Sequence, residues 1–186
     1  MQPPRYAVHC VRATVDAEKL ERFMVELGRR ARGPGRIYLT GGATALLVGW
    51  RASTVDVDLK LDPEPAGAFQ AIAALKEELD LNVELASPDL FVPPVPGWRE
   101  RSVHVGRYGR VDFHHFDYLS QALAKLARGH ERDLADVRAM LERAFFSAAD
   151  LTRALAEIEP DLVRYPGLDA AAFRERVREF VERVDA

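Results

Sequence analysis

The chain has 186 residues, 48% of them hydrophobic, and a formal net charge of −3. This length can bury one good core, and the slightly acidic balance argues against a chain-wide surface for polyanions, although a local basic patch stays open. Cys10 is the single cysteine, which excludes an intrachain disulfide, and we find no signal peptide or apolar membrane-spanning segment, so we expect a cytoplasmic protein that has no membrane contact.

The first half of the sequence alternates between helical and strand patterns. Residues 16–32 are predicted to form an amphipathic helix, which Gly33-Pro34-Gly35 ends. The next predicted elements are strand 37–40, helix 43–50, strand 55–61, helix 66–79 and strand 82–86. This order predicts an α/β (α+β) fold.

The second half begins with a rigid apolar loop and ends in helices. Residues 87–98 hold four prolines, and this loop would either border a pocket or simply cover the sheet. Gly106 to Gly109 form a predicted hairpin turn. Helical patterns then cover residues 118–128, 131–143, 148–157 and 170–184. We therefore divide the chain into a core, residues 1–116, and a C-terminal helical region packed on it, residues 117–186.

The strand at residues 55–61 carries two carboxylates on one face. Apolar and charged residues alternate strictly there, so Asp56 and Asp58 point the same way, roughly 6.6 Å apart along the strand. Carboxylates this close repel each other, and a pair of Mg²⁺ ions would relieve the repulsion. The alternative is a strand whose carboxylates are simply solvated.

Gly41-Gly42 lie where a strand turns into a helix. Such a turn leaves backbone N–H groups uncovered at the helix N-terminus, where phosphate can approach because glycine has no side chain. Mg²⁺ usually binds through one or two carboxylates plus substrate phosphates. A phosphate cradle beside Asp56 and Asp58 is therefore chemically consistent, whereas either feature alone would more often be a plain turn or a solvated strand.

Together these residues resemble a known signature. Gly41-Gly42, the intervening helix, then Arg51, Thr54, Asp56 and Asp58 are similar to the motif of the polymerase-beta-like nucleotidyltransferase superfamily. The Gly-Gly turn with Arg-x-x-Thr before the first Asp most resembles the bacterial abortive-infection (type IV toxin-like) nucleotidyltransferases. The resemblance covers about residues 37–136.

The resemblance implies a fold and an activity. The fold is a nucleotidyltransferase-like mixed β-sheet flanked by helices, with residues 1–116 as the catalytic core. The activity is Mg²⁺- or Mn²⁺-dependent transfer of a nucleoside monophosphate from an NTP to a hydroxyl acceptor, with release of pyrophosphate. The acceptor stays open between tRNA, a protein and a small molecule, and a cognate antitoxin or toxin partner is possible.

The family also uses a third carboxylate, on a strand next to the first pair. Asp112, an acidic residue between apolar ones, is our candidate, so we expect it to join Asp56 and Asp58 in holding metal. The alternative for Asp112 is a surface position on an edge strand. Asp117 is its rival, but it precedes a helical pattern, so we expect it to cap that helix instead.

A cluster of charged residues follows on the helices. Lys125, Arg128, Arg132, Asp133 and Asp136 resemble a pattern of the same toxin-like family in which the lysine contacts the triphosphate. A compact cation suits that role. In that role Lys125 would be an exposed charge whose loss costs the fold little. The alternative is that Lys125 and Arg128 only complement the dipole of a helix that ends at Gly129, and that the loss of Lys125 lowers stability slightly.

The predicted site therefore has three parts. Asp56, Asp58 and Asp112 would hold the metals, Gly41, Gly42 and Thr44 would bind phosphate, and the remaining nucleotide contacts would come from Arg51, Thr54, Lys125 and Arg128. His114 and His115 are adjacent on a strand and face opposite sides, so they are not expected to ligate one metal. The alternative function is a catalytically silent nucleotidyltransferase-fold module, antitoxin-like or regulatory, that binds a nucleotide or a partner.

Overall fold

A computed structural model describes residues 13–185 of the chain. The prediction for Cys10 lies outside these residues. Helices are α1 Ala17–Arg30, α2 Gly41–Val48, α3 Ala68–Glu78, α4 Trp98–Arg101, α5 Tyr118–Arg128, α6 Glu131–Glu142, α7 Ala148–Ile158 and α8 Ala170–Asp185. Strands are β1 Gly35–Thr40, β2 Asp56–Leu61, β3 Asn82–Glu84, β4 Val103–Tyr108 and β5 Val111–His115. Within the described part of the chain, no helix combines the length and apolarity needed to cross a bilayer.

The five strands form one mixed sheet in the order β3-β2-β1-β5-β4. β1 pairs antiparallel with β2, and β4 with β5, whereas β1 with β5 and β2 with β3 are parallel. The protein is therefore an α+β protein with a mixed sheet. The alternation of patterns predicted this class, and the resemblance implied the mixed sheet. Its edges are β4 and the short strand β3.

One face of the sheet packs on α1 and α3. Leu20, Phe23 and Leu27 of α1 are fully buried against Ile37 of β1 and Leu59 of β2. These α1 side chains recur at the helical spacing that the sequence pattern predicted. The Asp16 side chain caps the helix by accepting a hydrogen bond from the Lys19 N–H at 2.8 Å. The other face holds the Asp56–Asp58 side and a small aromatic cluster of Tyr38, Trp98 and Phe116.

A second hydrophobic core lies among α5 to α8. It is built from Leu123, Phe173 and Val177, together with Val92 and Val95 of the proline-containing segment. The predicted loop 87–98 thus covers the helical region as well as bordering the sheet. It contains a 3₁₀ turn, Pro88–Leu90, which the sequence pattern does not predict. The first core draws its buried residues from positions 15–113 and the second from positions 92–180, so the two overlap along the chain. The boundary at residue 116 stays a prediction.

Asp117 is the N-cap of helix α5. Its carboxylate accepts the backbone N–H of Ser120 at 3.1 Å and is held by Arg101 at 2.9 Å. The expected capping role of Asp117 is therefore what the structure shows. The helix ends at Gly129, whose φ of +73° is the left-handed conformation expected after a last turn.

Candidate functional site

The end of β1 and the middle of β2 bring Gly41 against Asp58. Thr40, the last residue of β1, is the register partner of Asp58 in the antiparallel pair. Gly41 has φ +57°, and a Cβ placed there would lie 2.6 Å from Asp58 Oδ2. Only glycine fits this position without strain, since the backbone is left-handed and the space is taken by the carboxylate.

Asp56 and Asp58 share one face of β2, and the parallel strand β3 adds a third carboxylate beside them. The register places Glu84 next to Asp58 and Asn82 next to Asp56. Asn82 Nδ2 donates a hydrogen bond to Asp56 Oδ1 at 2.5 Å, and Asp56 Oδ2 takes no part in this bond. We call Asp56, Asp58 and Glu84 the acidic edge.

Glu84 was missed in the sequence. The signal was the alternation Asn82-Val83-Glu84, which puts both polar side chains on one face of a strand. The sequence pattern does not predict that β3 pairs in parallel with β2, because strand pairing depends on contacts between residues far apart in the chain.

Asp58 is the most perturbed group of the acidic edge. Its pKa is raised to about 6, first because burial disfavours the charged form and then because Asp56 and Glu84 repel it. Arg128 and Lys125 act in the opposite direction and lower the pKa. A cation bound at the acidic edge would relieve the same repulsion.

Asp112 does not join the acidic edge. Its register partner on β1 is Arg36, whereas Asp58 pairs with Thr40, so Asp112 lies four residues further along the sheet, roughly 13 Å by strand rise. There it contacts His104 at 3.5 Å and Arg107 at 3.9 Å. The expected convergence of Asp112 with Asp56 and Asp58 is therefore not found. Because β5 runs parallel to β1, Asp112 lies beside the start of β1, whereas Asp58 lies beside its end.

Lys125 and Arg128 face the acidic edge from α5, but both are paired with carboxylates. Lys125 is only 3% exposed, and its Nζ lies 2.6 Å from Asp136 and 3.4 Å from Asp133. Arg128 contacts Asp133 at 2.7 Å. The expectation that Lys125 is an exposed charge is wrong, because α6 folds back and buries it between two aspartates.

Arg51 completes this buried ion-pair network. Its guanidinium lies 2.5 Å from Asp136, which also accepts the Trp50 Nε1 hydrogen bond at 3.1 Å. Arg51 thus ties the end of α2 to α6 and is engaged there, while Arg132 is exposed on the outside of α6. The network consists of Arg51, Lys125, Arg128, Asp133 and Asp136.

The two threonines of the signature are engaged in packing. Thr44 is fully buried, and its hydroxyl donates to the Leu39 carbonyl at 3.0 Å, so it does not present a free hydroxyl to phosphate. Thr54 is also buried and donates to the Asp56 carbonyl at 3.1 Å. A Cβ at Gly42 would overlap the Thr54 side chain, so Gly42 is needed for this close packing. Both hydroxyls are engaged within the fold, that of Thr44 instead of the expected phosphate contact and that of Thr54 instead of the expected nucleotide contact.

The Gly41 N–H, half of the expected phosphate cradle, is already bonded. It donates to Gln121 Oε1 of α5 at 2.9 Å, and Gln121 Nε2 in turn donates to the Phe116 carbonyl at 2.7 Å. A phosphate could take this N–H only after the Gln121 side chain turns away. Gln121 Oε1 therefore accepts the hydrogen bond that a phosphate oxygen was expected to accept.

A small cavity separates the acidic edge from the basic side chains of α5. Its volume is about 20 Å³, room for about one water molecule. Its wall includes Gly41, Asp58, Phe91, Gln121, Lys125 and Arg128. The site is thus narrow in the structure: its charges converge, but a nucleotide would fit only if the α5 side chains or Phe91 moved.

His115 and His114 lie on opposite sides of the sheet, as the alternation requires. His115 is buried with Nδ1 3.2 Å from Thr44 Oγ1, and burial, followed by the charge of His114, lowers its pKa to about 4. Among residues 13–185, no three or more His, Cys, Asp or Glu side chains are grouped so as to hold a metal ion.

Comparison of the chain with protein-family models, with curated proteins and with solved structures finds no match. The family resemblance of the motif residues therefore stays a prediction.

Proposed function

We propose that the protein is a Mg²⁺-dependent nucleotidyltransferase that moves a nucleoside monophosphate from an NTP to a hydroxyl acceptor. The observation that carries this proposal is the approach of Gly41 to the Asp58 carboxylate, with Lys125 and Arg128 across a shared cavity. Mg²⁺ is usually bound through carboxylates, a triphosphate is stabilised by cations, and here both kinds of charge line one space.

The donors of the acidic edge suit Mg²⁺. Asp56, Asp58 and Glu84 offer only oxygen ligands, and Mg²⁺ is commonly held by one or two carboxylates while phosphates and waters complete its shell. The raised pKa of Asp58 adds a reason, because a cation would favour the charged carboxylate that burial now opposes. As they stand, the three side chains are not grouped closely enough to hold a metal ion, so metal binding would have to draw them together. On that condition we assign Glu84, the register partner of Asp58, as the third carboxylate in place of Asp112.

When bound, the metal would supply positive charge to the triphosphate and to the acceptor oxygen. In the proposed reaction the acceptor oxygen bonds to the α-phosphorus, the bond between that phosphorus and the bridging oxygen breaks, and pyrophosphate leaves with the electron pair. The acidic edge accepts the hydroxyl proton. Lys125 and Arg128 stabilise the negative charge that moves to pyrophosphate. To do so, each must interact with the pyrophosphate as well as with its aspartate partner, Asp136 for Lys125 and Asp133 for Arg128.

A second candidate is a catalytically silent module that binds a nucleotide or a protein partner. Three observations favour it: the cavity is only about 20 Å³, Gln121 holds the Gly41 N–H, and Lys125 is committed to aspartates. This candidate shares the nucleotide site with the first but predicts binding without turnover.

Metal-dependent nucleotide binding is the first test. With millimolar Mg²⁺, one of the four NTPs should raise the melting temperature of the wild-type protein, because a ligand that binds only the folded state stabilises it. Asp56→Asn should abolish this shift and Glu84→Gln should reduce it. Asp112→Asn is the matched control and should keep it, since Asp112 lies at the far end of the sheet.

Turnover separates the two candidates. Labelled NTPs incubated with tRNA, cell protein or a panel of hydroxylated small molecules should transfer label to one class and release pyrophosphate. Binding without transfer to any class would favour the silent module. An NTP shift that is absent in the wild-type protein, or equally present in Asp56→Asn, would contradict the proposed nucleotide site.

A further inference from the structure

A second, larger cavity lies directly beside this narrow site. Its volume is about 570 Å³, within the range of small-ligand pockets. Phe91 and Arg128 line both this cavity and the 20 Å³ cavity at Asp58. The two spaces therefore share one side-chain pair as their border.

The shared border is a cation stacked on a ring. Arg128 Cζ lies 5.1 Å from the centre of the Phe91 ring, and Phe91 is 37% exposed. Arg128 reaches the site from α5, whereas Phe91 follows the 3₁₀ turn Pro88–Leu90. Phe91 is thus the aromatic residue that lines both cavities, and a planar group could replace the guanidinium on the ring.

The rest of the larger cavity combines apolar walls with cationic and hydroxyl groups. Leu90, Pro166 and Leu168 supply the apolar part, and Arg164 supplies a second cation that is mostly exposed. This mixture suits a molecule that has a flat, weakly polar part and an anionic part.

A chain of contacts fixes the larger cavity to the strand that carries Asp58. The Tyr165 hydroxyl donates to the Asp89 carbonyl at 3.0 Å, and the Asp89 carboxylate pairs with Lys60 of β2 at 2.7 Å. Lys60 lies two residues after Asp58 on the same face. These contacts position the wall of the cavity relative to the acidic edge, and the Phe91–Arg128 pair lines the cavities on both sides.

We propose that the larger cavity receives the base and ribose of the nucleotide whose phosphates bind at the acidic edge, with the base stacked on Phe91 in place of Arg128. This rests on the proposed function and specifies its base-binding surface. Arg128, once displaced from the ring, remains beside Asp58 and Lys125 and turns toward the triphosphate. The stacking contact is tolerant of base identity, because every base has a flat face.

The test compares a nucleotide with its phosphate chain alone. The affinities of the wild-type protein for the bound NTP and for inorganic tripolyphosphate are measured by calorimetry at saturating Mg²⁺. Phe91→Ala should weaken NTP binding about tenfold and leave tripolyphosphate binding unchanged, because only the base contacts the ring. Phe91→Trp keeps an aromatic face and should bind the NTP about as well as the wild-type protein.

Phe69→Ala is the matched control. Phe69 is a comparably exposed phenylalanine, 44%, on α3, and it lines neither cavity. It should change neither affinity. Melting temperatures of all variants show whether they fold.

Each other outcome overturns the inference in a distinct way. Equal NTP affinity in Phe91→Ala and wild type excludes the stacking surface while leaving the proposed function intact. Tighter binding of both ligands by Phe91→Ala identifies Phe91 as a plug that only blocks the site. If the wild-type protein binds neither ligand, the proposed function and this inference both fall.

Discussion

Gly41 and Asp58 are in contact across the β1–β2 pair, so that a methyl group on residue 41 would stand 2.6 Å from Asp58 Oδ2. Gly41→Ala must therefore adopt a left-handed backbone and push the carboxylate aside. We expect it to lower the free energy of unfolding by about 2–4 kcal/mol, measured by urea denaturation.

The matched control for that substitution is Gly49→Ala. Gly49 also has a positive φ, +92°, but nothing lies within 4 Å of its hypothetical Cβ. It should show only the backbone cost, about 1–2 kcal/mol. In an Asp58→Ala background the excess loss of Gly41→Ala over Gly49→Ala should disappear; an excess that persists would show that the carboxylate is not the obstacle.

Asp58→Asn should stabilise the ligand-free protein at neutral pH. An acid whose folded pKa is raised binds its proton more tightly when folded, so its effect on stability is absent below the unfolded pKa of 3.8 and becomes fully unfavourable above the folded value of about 6. Removing the charge should gain on the order of 3 kcal/mol at pH 7.5 and almost nothing at pH 3.5. Urea denaturation across this range measures the difference, and a gain that is independent of pH would contradict it.

His115 makes the opposite contribution to the pH dependence. Its pKa falls from 6.5 to about 4 on folding, so it favours the fold at neutral pH and this stability is lost as the pH drops from 6.5 towards 4. In the wild-type protein the effects of Asp58 and His115 partly cancel between pH 4 and 6. The Asp58→Asn variant should therefore lose stability more steeply than the wild-type protein as the pH falls from 6 to 4.

Lys125→Ala should destabilise the fold strongly. The substitution leaves Asp136 and Asp133 buried with only Arg51 and Arg128 to compensate them, and breaking a buried pair typically costs about 3 kcal/mol or more. Lys60→Ala is the control, because its pair with Asp89 is a quarter exposed and should be worth about 1 kcal/mol or less. Equal losses in the two variants, measured by urea denaturation, would show that burial of Lys125 has no energetic consequence.

The sequence predicted the order of helices and strands because most of these elements have one apolar face and a clear capping or breaking residue. The same periodicity placed Asp56 and Asp58 side by side. It did not predict that Glu84 lies beside them and that Asp112 does not, because strand order and direction are set by contacts between residues far apart in the chain. The burial of Lys125 was also hidden, since it depends on α6 folding back over α5.

The buried ion-pair network has an unequal charge. Arg51, Lys125 and Arg128 contribute three positive charges, and Asp133 and Asp136 contribute two negative ones, so one positive charge is left over. An ionised Asp58 across the small cavity balances that charge. A metal ion that neutralises Asp58 would free the excess cation for an anion, and the anion would in turn strengthen metal binding. In the proposed function, metal and triphosphate are therefore thermodynamically coupled ligands, each raising the affinity for the other by the same factor.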